Sequence, residues 1–70
     1  MQNIPKVGEY YKKSDKTYLI IRSYKADEYD IKYYNAKRRY MIYVGNETWG
    51  YRFYKRCYSL TKARKAVLEY

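Results

Sequence analysis

The sequence predicts a mainly β (α+β) domain, a five-stranded antiparallel meander or SH3-like small barrel with one C-terminal α-helix. Short runs rich in tyrosine and β-branched residues recur along the chain, as strands require. The gaps between them are short and polar, compatible with hairpins and neighbour pairing. After Ser59 the apolar period changes from two to about 3.6 residues, the helical value.

Residues 1–7, MQNIPKV, hold the only proline and read as an irregular lead-in. From Gly8, "GEYYK" has strand character, and "KKSDK" turns the chain. "TYLIIRSY" is apolar on both alternating faces, with Tyr18 and Ile20 on one and Leu19 and Ile21 on the other, which suits a central, covered strand. "KADE" is a further turn. "YDIKYY" alternates, Tyr29, Ile31 and Tyr33 against Asp30, Lys32 and Tyr34, and is expected as the third strand.

"NAKR" turns the chain again, and "RYMIYV" follows as a fourth strand with Tyr40, Ile42 and Val44 on one face. "GNET" looks like a hairpin turn, because Gly45 and Asn46 tolerate positive φ. A fifth strand runs from Trp49 to about Tyr58. Leu60, Ala63, Val67 and Tyr70, with Ala66 beside them, form the stripe of a helix over 60–70, and Ser59 is its expected N-cap. The chain is thus one small domain: lead-in 1–7, sheet 8–58, helix 60–70.

In layout this is similar to the small DNA-binding chromatin proteins of archaea, which place a three-stranded sheet on the duplex. Residues 38–70 alone also resemble the arm-binding domains of phage integrases and the AP2 domain, in which a sheet enters the major groove. Both are likenesses of architecture, which does not fix function. What they imply is a sheet face turned toward DNA.

Seventy residues bury only about 60% of the surface the unfolded chain exposes, so the core is small. Cys57 is the only cysteine and there is no histidine. An internal disulfide is excluded, a zinc site lacks its ligands, and good packing or a homodimer must supply stability. There is no run of 18 or more apolar residues and no signal-peptide pattern. The expected setting is therefore intracellular, cytoplasmic or nucleoid-associated (host cytoplasm if the protein is viral), with no membrane partner.

Sixteen Lys and Arg against seven Asp and Glu give a net charge of +9, which attracts polyanions. The excess is uneven: residues 48–70 carry six cations and one anion, whereas residues 24–47 carry five and four. The thirteen tyrosines can reflect codon supply in an A/T-rich genome together with the ten lysines. Codon supply does not explain six arginines, nor where they fall.

Catalytic constellations are missing. Without histidine there is no ordinary Ser-His or Cys-His pair. Cys57 reads as a small buried hydrophobe, and Asp27, Glu28 and Asp30 as a solvated turn. "DIK" at 30–32 has the acid-x-Lys form of metal-dependent nucleases, with Asp15 as an upstream acid, but 70 residues leave no room for the mixed core those enzymes need. No Gly-rich phosphate loop is present. No enzymatic activity, cofactor or metal is expected.

What remains is "YRFYKRCYSL" at 51–60. Strict alternation puts Arg52, Tyr54, Arg56 and Tyr58 on one face and Tyr51, Phe53 and Cys57 on the other. Same-face residues sit roughly 6.6–6.8 Å apart, near the spacing of adjacent phosphates, so cations and rings in alternation can track a nucleic-acid strand. Arg39, Met41 and Tyr43 on the neighbouring strand extend that surface by cross-strand pairing. Lys62, Arg64 and Lys65 add contacts from the start of the helix, where the macrodipole disfavours cations. The leading expectation is a non-enzymatic nucleic-acid-binding protein, with DNA ahead of RNA and duplex DNA slightly preferred. The alternative is a small viral or phage protein that docks a tyrosine-rich surface on a host protein and inhibits or adapts it, since Tyr, Trp and Arg are also hot-spot residues. A homodimer is compatible with both.

Overall fold

The computed structural model describes residues 8–46 and 48–70; the expected lead-in at 1–7 lies outside the described residues. The elements are β1 (Glu9–Lys12), β2 (Thr17–Lys25), α1 (Glu28–Tyr34), β3 (Arg38–Asn46), β4 (Gly50–Cys57) and α2 (Leu60–Glu69). The strands form one open antiparallel sheet in the order β1-β2-β3-β4, leaving β1 and β4 as edges. The meander and terminal helix stand. Two finer expectations do not: the described residues hold four strands rather than five, and the sheet does not close into a barrel.

The missing strand is α1. Asp27 is its N-cap, accepting from the Asp30 amide at 2.9 Å, and Asp30 Oδ2 accepts from the Asp27 amide at 3.1 Å. This is a capping box with aspartate in the reciprocal position. Asn35, left-handed at φ 49°, ends the helix, and its amide donates to the Asp30 and Ile31 carbonyls. These end signals outweighed an alternation that had no second layer to pack against: Tyr29, Ile31, Tyr33 and Tyr34 are all exposed. With it goes the nuclease-like reading of "DIK". Asp30 is wholly buried in the cap, and Asp15 pairs at the surface with Lys12 at 3.7 Å.

One face of the sheet is covered by α2. Leu19 and Ile21 from β2, Ile42 and Val44 from β3, and Cys57 from β4 pack on Ala63, Ala66 and Val67, with Tyr11, Tyr40 and Leu60 at the rim. Alanines at the contact let the helix backbone approach the sheet closely. Cys57 is buried and packs as a hydrophobe, and that burial raises the pKa of its thiol. β2 is covered on both faces: Ile20 points away from α2 and is still buried, flanked by its cross-strand neighbours Tyr10 and Tyr43. Among the described residues no helix is long and apolar enough to cross a membrane.

Gly45 lies in β3 rather than in the expected turn, and only glycine fits there. The Tyr51 ring of β4 lies over it, and a Cβ would sit 2.4 Å from Tyr51 Cε1. Gly45→Ala is expected to displace that ring and cost about 1–3 kcal/mol, read as a lower urea midpoint with an unchanged slope.

Ser59 occupies the N-cap of α2 in extended backbone, but its side chain makes no capping bond; only its carbonyl accepts, from the Ala63 amide at 2.9 Å. No acid lies in the first turn. Part of the dipole cost of the cations is offset by Glu9 of β1, whose carboxylate accepts a forked pair of bonds from Arg64, with Nε at 2.9 and 3.2 Å from its two oxygens. Arg64 above all, then the Tyr11 hydroxyl, holds the Glu9 carboxyl at about 2, below its usual 4.5. A depressed carboxylate stabilises the fold above its unfolded pKa, and that contribution is lost as pH falls through the folded one. Thermal stability is therefore expected to decline between about pH 4.5 and pH 2. Glu9→Gln should flatten that part of a melting-temperature profile followed by circular dichroism.

Candidate nucleic-acid interface

β4 does not alternate in the expected way. Ile42 pairs with Lys55 and Tyr43 with Phe53, so Tyr54 is the extra residue of a β-bulge. The bulge exchanges the faces midway along the strand. Arg52 lies opposite Val44 on the α2 side, where its Nη2 donates to the Tyr70 hydroxyl at 3.0 Å. Tyr54 meets the Tyr70 ring edge-on with centroids 5.1 Å apart. Arg56 lies opposite Met41 on the other, open face. The expected single ribbon of Arg52, Tyr54, Arg56 and Tyr58 is therefore corrected: its halves stand on opposite sides of the sheet.

Arg56 and Tyr58 are also engaged within the fold. The Arg56 guanidinium is 3.8 Å from the buried Asp30 carboxylate. A hydrogen bond that Arg56 donates to the Tyr58 hydroxyl oxygen, and after it the charges of Tyr58 and Asp30, favours the protonated form of Arg56. Tyr58 stacks on Tyr34 of α1, with centroids 4.4 Å apart and planes 20° apart. This cluster anchors α1 to the end of β4. Arg64 is likewise occupied by Glu9, on the β1 side of α2.

The bulge and the edge position together leave residues 52–56, "RFYKR", exposed without interruption. Arg52, Tyr54 and Lys55 project to the α2 side, Phe53 and Arg56 to the open face. Arg64 turns toward β1 and a helix turns 100° per residue, so Lys62 lies on the opposite flank of α2, toward β4, with Lys65 on the outer surface. Tyr70, just past the helix end, reaches β4 at Arg52 and Tyr54. Lys55 and Lys62 both lie close enough to oppose the rise in the Cys57 pKa. Four predicted site residues, Arg52, Tyr54, Lys62 and Lys65, thus share one edge, and Lys55 joins them. The carboxylate on this edge among the described residues is Glu69, 3.8 Å from Lys65.

Arg39 and Tyr43 belong to the open face. Across it the register sets Tyr10, Ile20, Tyr43 and Phe53 in one row and Arg22, Met41 and Arg56 in the next. The Tyr43 and Phe53 rings meet at 6.1 Å and 72°. The Arg22 and Arg39 guanidinium carbons lie 5.6 and 5.2 Å from the Tyr24 ring centroid, within cation–π range. Arg39 also pairs with Asp27 at 3.2 Å. Burial first, then the Tyr24 phenol, pushes the Tyr43 hydroxyl above its usual pKa.

Strict alternation misses Phe53, which it turns inward, and Lys55. A signal for both is present in the sequence. Alternation from Tyr51 through Phe53 to Cys57 would carry Lys55 into the core. A lysine at an inward position of an otherwise apolar side marks a bulge or an edge. No protein-family model matches the chain, and neither curated proteins nor solved structures give a match.

Proposed function

We propose that the chain is a non-enzymatic nucleic-acid-binding protein whose contact surface is the β4 edge with the adjoining flank of α2. One observation carries this reading: five consecutive exposed residues, Arg52 to Arg56, hold three cations and two rings, and of those cations Arg52 and Lys55 have no ion-pair partner among the described residues. An edge strand usually spends charge to prevent unwanted pairing. Here Lys62 and Lys65 continue the charge onto the helix, beyond what protecting an edge requires. Phosphates released from their counterions reward such a row, and the rings between the cations give bases or sugars an apolar contact. Gel-shift titration of labelled oligonucleotides at low and moderate salt tests the proposal, with affinity expected to fall steeply as salt rises.

A second reading, docking on a host protein, is favoured by α1, where Tyr29, Ile31, Tyr33 and Tyr34 are 51–62% exposed. Such a cluster has hot-spot chemistry. Binding to a protein partner that is insensitive to salt, with no retention of oligonucleotides, would favour it.

A further inference from the structure

Resting on the nucleic-acid reading, we infer that the open sheet face is a base-stacking platform and that the ligand is an unpaired strand, its phosphates on the β4 edge and its bases on Phe53 and Tyr43. Likeness of layout points to duplex DNA, but the chemistry of the face does not. A sheet that reads a duplex groove needs long polar side chains at its centre to reach base edges. The row of this face that carries Phe53 is Tyr10, Ile20, Tyr43 and Phe53, and the arginines beside it, Arg22, Arg39 and Arg56, are held by the Tyr24 ring, Asp27 and Asp30.

Phe53 decides the matter. It is 51% exposed, has no hydrogen-bonding group, and gains nothing from a phosphate. A base in a duplex is already stacked on both sides and offers it a ring face only at the cost of unstacking, whereas an unpaired base offers one at no such cost. Phe53 is also placed for this use. Its neighbours Arg52 and Lys55 leave β4 on the opposite side of the sheet, so a strand running along the edge sets phosphates against those cations and turns its bases over the edge onto the ring. The Tyr43 ring meets Phe53 edge-on, 6.1 Å away and 72° from its plane, so it braces Phe53 and presents a second ring, in a different plane, further inward. Charge complementarity selects a polyanion: six cations against one anion over residues 48–70.

The test is fluorescence anisotropy with labelled single-stranded DNA and RNA of one sequence, the corresponding duplex, and inorganic polyphosphate as a polyanion without bases. The wild-type chain is expected to bind one or both single strands more tightly than the duplex, and the tighter arm assigns the sugar. Phe53→Ala should weaken single-strand binding roughly tenfold to a hundredfold, the range of one base–ring stack, leaving polyphosphate binding and the melting temperature unchanged. Phe53→Tyr, which keeps the ring, should retain affinity. Equal or tighter duplex binding, or a Phe53→Ala variant unchanged on single strands, overturns the platform while leaving the nucleic-acid reading in place. Failure of every oligonucleotide to bind overturns both.

Discussion

Ile42→Ala is expected to leave most of the chain unfolded at room temperature. Ile42 is fully buried at the centre of β3, between β2 and β4 and beneath α2. Truncating such a side chain costs about 2–5 kcal/mol, the transfer of the lost methyl groups plus the cavity they leave. A core of this size rarely supplies more than about 3–5 kcal/mol in total, and Cys57, the lone cysteine, forms no cross-link. One truncation therefore removes most of the margin. Ile31→Ala on α1 is the matched control: that side chain is 55% exposed, and its loss should stay within about 0.5 kcal/mol. Urea unfolding followed by far-ultraviolet circular dichroism separates the two.

The second large effect falls on binding. Replacing Arg52, Lys55 and Lys62 together by alanine removes three exposed cations from one edge. Among the described residues none of the three forms an ion pair; Arg52 holds only the Tyr70 hydroxyl. Thermal unfolding should therefore hardly change. Each phosphate no longer neutralised lowers the log–log salt slope by about 0.7 for a single strand, so three lower affinity roughly a hundredfold at 0.1 M salt. Replacing Arg38, Arg39 and Arg64 makes a variant of the same net charge. Arg39 and Arg64 are committed to Asp27 and Glu9, and Arg38 binds Ser23 Oγ. This variant should lose less affinity and more stability. Equal losses of affinity would mean that net charge, rather than the β4 edge, sets binding.

The parts of the fold that were legible were those where burial and periodicity agree. β2 was readable because three successive apolar residues, Leu19, Ile20 and Ile21, need cover on both faces. α2 was readable because Ala63, Ala66 and Val67 recur at helical spacing. The segment at 29–34 was misread because alternation without burial carries little information, while its capping aspartates and Asn35 carried more. The faces of β4 were misread because a single bulge residue, Tyr54, inverts every side chain beyond it. As a result the candidate surface gained Phe53 and Lys55, while Arg56, Tyr58 and Arg64 were found engaged within the fold.

The salt dependence of binding tests the β4 edge most directly. With phosphates on Arg52, Lys55, Lys62 and Lys65, the logarithm of the association constant for a single-stranded oligonucleotide should fall with the logarithm of salt at a slope of about −2.8. In the Arg52, Lys55 and Lys62 triple-alanine variant the slope should shrink to about −0.7. A wild-type slope near zero, or one that the triple substitution leaves unchanged, would contradict a phosphate-binding edge at β4.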